Sequence, residues 1–199
     1  MKVIGITGGV GCGKTTIINL IKEYLNQKKD VKFDILMTDE ISRNLLQPEQ
    51  KAYIQVVEFF GKSIVNEDKT IHRAKLAEII FNNPNKRIVL NSIIHPLVKQ
   101  EVINTINHLR IAEYDYVFIE SALLYDDHYE VFCDETWYIY ASEEQRIQRL
   151  KLSRNYTKEK IESIMKSQLT EQKFKDKCDV IIDNDKTYDD VRQQLVKLL

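Results

Sequence analysis

Short apolar runs recur at Val3 to Thr7, Phe33 to Thr38, Tyr116 to Glu120, Thr136 to Tyr140 and Val180 to Ile182. Each is nearly continuous in hydrophobicity, as strands buried on both faces are. Segments of helical period lie between them. From Thr16 onward, Ile17, Ile18, Leu20, Ile21, Tyr24 and Leu25 line one helical face. The alternation predicts an α/β fold, with a five-stranded parallel sheet between helices on both faces.

The strands are unevenly spaced. Between Asp39 and Tyr116 the strand pattern disappears, and Ala52 to Phe60, Ala74 to Phe81 and Lys86 to Ile94 read as helices. A parallel crossover needs only about a dozen residues, so the excess predicts a helical lobe inserted beside the sheet, where a second substrate could sit. A further helical stretch, Ser142 to about Lys175, separates the fourth and fifth strands and carries Arg146, Arg149 and Arg154, with Ser142 at its start. It reads either as a lid bringing arginines over a phosphate or as an ordinary solvated helix. Pro48, Pro84 and Pro96 read as boundaries, and His95 before Pro96 as a helix-ending corner.

Composition narrows the class. At 199 residues the chain suits one α/β domain, with sub-regions rather than independent domains. The 29 basic and 30 acidic side chains leave a net charge of -1, so no global basic field draws in nucleic acid or an anionic membrane. Cys12, Cys133 and Cys178 are odd in number and lack C-x-x-C spacing, which points to a reducing compartment rather than a disulfide framework or zinc site. With no leader pattern and no long apolar span, the expectation is a soluble cytoplasmic protein.

The chemistry concentrates at one place. Five of the six glycines lie between Gly5 and Gly13, and Gly8-Gly9-Val10-Gly11-Cys12-Gly13-Lys14-Thr15 matches the phosphate-loop pattern G-x-x-x-x-G-K-[ST] between a strand and a helix. Backbone N–H groups of such a loop cradle a nucleotide's phosphates. Lys14 would reach the β- and γ-phosphates of ATP, and the Thr15 hydroxyl would ligate Mg²⁺. The expected fold is thus of P-loop NTPase type, with Gly9, Gly11, Cys12, Gly13, Lys14, Thr15 and Thr16 as nucleotide contacts. A glycine-rich turn that binds nothing is the plain alternative.

Two carboxylates close strands and become candidates. Asp39 follows the second strand and reads either as a base for an attacking hydroxyl or as a helix N-cap. Glu120 ends the third strand like a Walker B acid and is the candidate water-mediated metal contact beside Thr15. Asp126 and Asp127 read as loop solvation, Arg73 at the head of a helix reads either as a contact to a substrate phosphate or as a surface residue, and His95 reads as structural rather than catalytic.

Nearly the whole chain resembles the dephospho-CoA kinase family. Ile4 to Thr16 is similar to that family's loop, Thr38-Asp39-Glu40-Ile41-Ser42-Arg43 to its D-A-D-x-I-A-R stretch, Phe60-Gly61 to its F-G, and Ile71 to Leu76 to its L-D-R-x-x-L. His95-Pro96, Leu123-Leu124-Tyr125-Asp126, Gln168, Lys173 and Cys178 to Asn184 resemble its remaining motifs. Met37, His72 and Ala122 stand where the family has two aspartates and a proline, and the lid arginines are spaced one residue wider than its commonest pattern.

The resemblance implies ATP-dependent phosphorylation of the ribose 3'-hydroxyl of dephospho-CoA. Asp39 would be the catalytic base with Lys14, Mg²⁺ would sit at Thr15 and Glu120, Arg149 and Asn184 would join the ATP site, and Arg73, His95 and Asp39 would face the acceptor. Residues 1–46, 110–141 and 176–199 would form the nucleotide core, 47–109 the acceptor lobe and 142–175 the lid, in a monomer or small homo-oligomer without nucleic-acid or membrane partners. The rivals are another small P-loop kinase, acting on a nucleoside monophosphate or small alcohol, and a nucleotide-dependent regulatory switch.

Overall fold

The computed structural model describes residues 1–154 and 156–199; residue 155, inside the expected lid, lies outside them. The chain divides into two compact units, one made of Met1–Ile35 and Leu109–Leu199, the other of Leu36–His108.

The first unit is built on the sheet. Strands β1 (Lys2–Thr7), β2 (Phe33–Met37), β3 (Tyr116–Glu120), β4 (Glu135–Tyr140) and β5 (Val180–Asp183) stand in the order β2-β3-β1-β4-β5. The sheet is parallel, and its flanking helices make the predicted three-layer αβα fold. All five apolar runs became strands to within a residue, because a strand buried on both faces leaves a run that local pattern reveals. On one side of the sheet, Ile4, Ile6, Phe118, Trp137, Ile139 and Ile182 pack with Ile17, Ile18, Ile21 and Leu25 of α1 (Lys14–Asn26). Val191 and Leu195 of α9 (Tyr188–Leu198) complete that core. At the far end of β4, Asp179 accepts hydrogen bonds from the Thr136 hydroxyl at 2.7 Å and amide at 2.8 Å, and that hydroxyl, more than the amide, holds its carboxyl below the usual range.

Strand order reverses about β1, whose neighbours are β3 and β4. The crevice beyond the carboxyl end of such a strand is where open α/β sheets bind ligands. The Gly8–Thr15 loop leaves β1 at that point, and Glu120 ends the adjacent β3 in register with Ile6.

The expected lid stretch is not one helix. Among the described residues it carries α6 (Glu143–Arg154), α7 (Lys158–Lys166) and α8 (Glu171–Lys177), the last two capped by the side chains of Thr157 and Thr170. Ser142 opens α6 as predicted, its hydroxyl accepting from the Gln145 amide at 3.4 Å. Leu150, Ile161 and Phe174 are buried anchors, and Phe174 stacks on Tyr138 of β4 with ring centroids 4.8 Å apart.

The second unit holds α2 (Thr38–Leu45), α3 (Lys51–Phe60), α4 (Arg73–Phe81) and most of α5 (Pro84–Ile111) around Val56, Ile64, Ile71, Leu76 and Leu90. It takes in most of the expected lobe, 47–109, with α2 and the end of β2 as well. Two expectations fail here. Pro96 does not end a helix, nor does His95 form a corner, because α5 runs through both. An interior proline costs about 3 kcal/mol, but Leu90, Val98, Val102, Ile106 and Leu109 are all buried and keep helical spacing across it, so burial outweighs the lost hydrogen bond. Nor is Asp39 an N-cap: α2 begins at Thr38 with Met37 as its uncapping N-cap residue, which leaves Asp39 in the first turn.

Candidate active site

The phosphate loop is held open by its own geometry. Gly11 and Gly13 have φ of 80° and 92°, left-handed values that favour glycine. At Gly13 a Cβ would also meet the Asn184 side-chain nitrogen at less than contact distance. Helix α1 starts immediately afterwards, so the amides of Lys14, Thr15 and Thr16 lack intrahelical acceptors and carry the positive end of the helix dipole. For Thr16 the acceptor would be the Cys12 carbonyl, four residues back. That carbonyl instead takes hydrogen bonds from Asn184 Nδ2 at 2.7 Å and Arg149 Nη1 at 3.3 Å.

Each predicted loop contact has a place in this arrangement. Gly9 is buried, and its carbonyl accepts from the Cys12 amide at 3.2 Å, so that amide is used inside the loop. The Cys12 side chain belongs to the hydrophobic core, 1% exposed. Lys14 folds back across the loop, with Nζ donating to the Gly8 carbonyl at 2.9 Å and lying 3.8 Å from Glu120 Oε1. Thr15 is exposed in the first turn and Thr16 is half-buried. Glu120 is 7% exposed, a carboxylate carried almost out of solvent by β3 with a lysine beside it. The loop therefore offers N–H donors, a lysine, a hydroxyl and a carboxylate at one edge of the sheet, the donor set for a phosphate chain and a hard cation.

The arginines are sorted by the fold. Arg149 bridges two carbonyls, Cys12 at 3.3 Å and Asn184 at 2.8 Å, and Arg146 Nε donates to the Val10 carbonyl at 2.9 Å. Arg154 is exposed, its guanidinium carbon 5.9 Å from the centroid of the Tyr156 ring. Arg146 and Arg149 are thus brought to the loop and Arg154 is not. Asn184, 3% exposed, turns its amide inward to the Cys12 carbonyl and braces the loop from behind. Next to it, Asp185 Oδ1 accepts from the Ser142 amide and hydroxyl at 2.9 and 2.8 Å, tying the start of α6 to the loop after β5.

In the second unit Asp39 lies exposed in the first turn of α2, where a negative charge suits the helix dipole. Its carbonyl accepts from Arg43 Nε at 3.1 Å. Arg43 and Arg73 line a cavity of about 440 Å³ whose walls include Leu46, Ile71, Leu76 and Ile80. Arg73 is the first residue of α4, and His72 before it does an aspartate's capping work, Nδ1 accepting from the Lys75 amide at 3.2 Å. His95 lies half-buried on α5, outside that cavity lining.

Sequence reasoning gave no role to Arg43, although its i+4 spacing from Asp39 on a helix marks one shared face. Nor did it assign one to Gln168, whose Oε1 accepts from the Val10 amide at 2.8 Å; no local pattern signals that contact.

The family model described as dephospho-CoA kinase matches residues 2–190. The dephospho-CoA kinase of Carboxydothermus hydrogenoformans is 33% identical over 100% of this chain and 93% of its own length. That of Oceanobacillus iheyensis is 30% identical over 99% of this chain and 96% of its own. Among solved structures, dephospho-CoA kinase from Campylobacter jejuni superposes with a TM-score of 0.72 at 24% identity, covering 100% of this chain and 96% of that one, a likeness of fold.

Proposed function

Because the chain belongs to the dephospho-CoA kinase family, we propose a division of labour among its residues for that family's reaction. The reaction is ATP-dependent phosphorylation of dephospho-CoA in coenzyme A biosynthesis. The ribose 3'-hydroxyl oxygen bonds to the γ-phosphorus, the bond to the β–γ bridging oxygen breaks, and ADP leaves. The observation that carries this reading is the loop after β1, with open first-turn amides and Lys14 Nζ held between the Gly8 carbonyl and Glu120.

Lys14 and the amides of the loop and first turn bind and orient the β- and γ-phosphates and offset the charge that develops on the leaving oxygen. Asp39 accepts the proton of the attacking hydroxyl. It is exposed in the first turn of α2, open to an incoming hydroxyl. Arg149 joins the ATP site beside the Cys12 carbonyl, which Asn184 braces. Thr15 and Glu120 present only oxygen donors, which fits Mg²⁺, an ion that takes one or two protein oxygens and completes its shell with phosphate and water. When bound, that ion neutralises phosphate charge.

Arg43 and Arg73 are the acceptor's phosphate anchors, supported by two cations beside apolar walls in a cavity of about 440 Å³. Residues 47–109, with His95, serve as the acceptor lobe and 142–175 as the lid. No helix among the described residues is long and apolar enough to cross a membrane. The proposed setting is the cytoplasm, as a monomer or small homo-oligomer acting on small molecules rather than nucleic acid.

The test is an ADP-release assay with purified protein, ATP and a panel of acceptors. Release that depends on dephospho-CoA is expected. Release with a nucleoside monophosphate or a shikimate-like alcohol, and none with dephospho-CoA, would overturn the reading.

A further inference from the structure

Both polar groups of one peptide residue at the tip of the phosphate loop are held from the lid. The Val10 amide donates to Gln168 Oε1 at 2.8 Å, and the Val10 carbonyl accepts from Arg146 Nε at 2.9 Å. Val10 itself is half-buried, and Gln168 stands in the turn between α7 and α8. That turn is fixed at both ends. The Gln168 amide donates to the Met165 carbonyl at 3.2 Å, while α8 is anchored by Phe174 stacked on Tyr138. On the other side, the guanidinium of Arg146 lies against Gly9, its Cζ 2.7 Å from where a Cβ would stand, and Leu150 closes over Gly11 in the same way at 3.0 Å.

We propose that Gln168 is a positioning residue for ATP: holding the Gly9–Val10 peptide while Arg146 holds the Val10–Gly11 peptide, it sets the orientation in which the phosphate loop presents its amides. The Val10 N–H lies in the Gly9–Val10 peptide plane and the Val10 C=O in the Val10–Gly11 plane, so Gln168 holds the first plane and Arg146 the second, and neither is free to rotate about its flanking Cα atoms. Val10 is followed by Gly11, whose left-handed φ of 80° offers little resistance to such rotation. Rotation of the Val10–Gly11 peptide would swing the Gly11 N–H out of the phosphate cradle. The Gly9–Val10 plane is flanked by a glycine as well, so a side-chain acceptor on the Val10 N–H, beside the Arg146 donor on the next plane, keeps the tip in one state before the nucleotide arrives. Binding then needs less ordering of the loop.

The proposal rests on the reading of Gly8 to Thr15 as an ATP site, and the experiment separates the two. Gln168→Met keeps the length of the side chain and removes the acceptor, whereas Gln168→Glu keeps an oxygen in place. Steady-state kinetics with each substrate varied, together with direct titration of ADP, gives the readout. Gln168→Met is expected to weaken ADP binding and to raise KM for ATP about fivefold, the effect of losing one hydrogen bond, while KM for dephospho-CoA stays within about twofold of wild type on the same argument. In 0.5 M salt, where the added charge is screened to within a Debye length of about 4 Å, Gln168→Glu is expected to recover most of the loss. Unchanged ADP binding by Gln168→Met overturns the proposal. So does a fall in kcat with both KM values unmoved, or a Gln168→Glu protein as impaired as Gln168→Met at high salt. Wild-type protein that fails to bind ADP at all overturns the ATP-site reading instead. A thermal melt accompanies each variant: a large fall in Tm with both KM values raised together marks Gln168 as a fold-stabilising residue and likewise overturns the proposal.

Discussion

Gly13→Ala tests the loop where its geometry is most demanding. The perturbation adds one methyl group at a residue whose φ is 92°. Holding an L-residue in the left-handed region costs about 1–2 kcal/mol. The new Cβ would also fall on the Asn184 side-chain nitrogen, so that side chain must turn away and lose its 2.7 Å hydrogen bond to the Cys12 carbonyl. Asn184 is 3% exposed, and water does not replace the lost partner. A buried amide left in that state costs about 1–3 kcal/mol. Together the two effects amount to about 2–5 kcal/mol, which on a domain of this size lowers Tm by roughly 4–20 °C.

Thermal melts followed by circular dichroism, run as a double-mutant cycle with Asn184→Ala, separate the two contributions. In the Asn184→Ala background there is no amide to displace, so Gly13→Ala should cost only the backbone share, about 1–2 kcal/mol. An equal cost in both backgrounds would refute the clash with Asn184. A Tm shift below about 2 °C in the wild-type background would refute the need for a left-handed residue at position 13.

Three further variants test the chemistry and the departures from the family pattern. Asp39→Asn should lower kcat by about two to four orders of magnitude, the span of a lost general base, with KM for ATP nearly unchanged in the same assay; near-normal turnover would leave Asp39 only its helix-dipole role. Lys14→Ala should raise KM for ATP and lower kcat, each by at least about tenfold, and an unaffected enzyme would end the phosphate-cradle argument. His72→Ala should cost about 1 kcal/mol of stability in denaturant unfolding, the loss of an N-cap acceptor. His72→Asp should retain that stability, and equal loss in both variants would show that the cap is not the contribution.

The residues differ in how much of this was legible in advance. Strands buried on both faces leave apolar runs, and a loop that must turn sharply while letting phosphate approach leaves glycines, so β1 to β5 and Gly8 to Thr15 could be read directly. Asp39 was legible as a strand-ending acid, but whether it capped a helix depended on where α2 began. Pro96 misled because the local rule for proline says nothing about the burial of Val98, Val102 and Ile106 beyond it.

The sequence by itself determined the donor half of the site and, through motifs spread from Ile4 to Asn184, the family of the acceptor reaction. Periodicity and turn chemistry are local properties, written in neighbouring residues. Only the tertiary structure decided which arginines meet the loop, that Asn184 faces inward to the Cys12 carbonyl, and that Gln168 holds the amide of Val10 across 158 positions of chain. Those contacts are made by hydrogen bonds between segments that the sheet order brings together. A side chain carries no local mark of a partner chosen by topology.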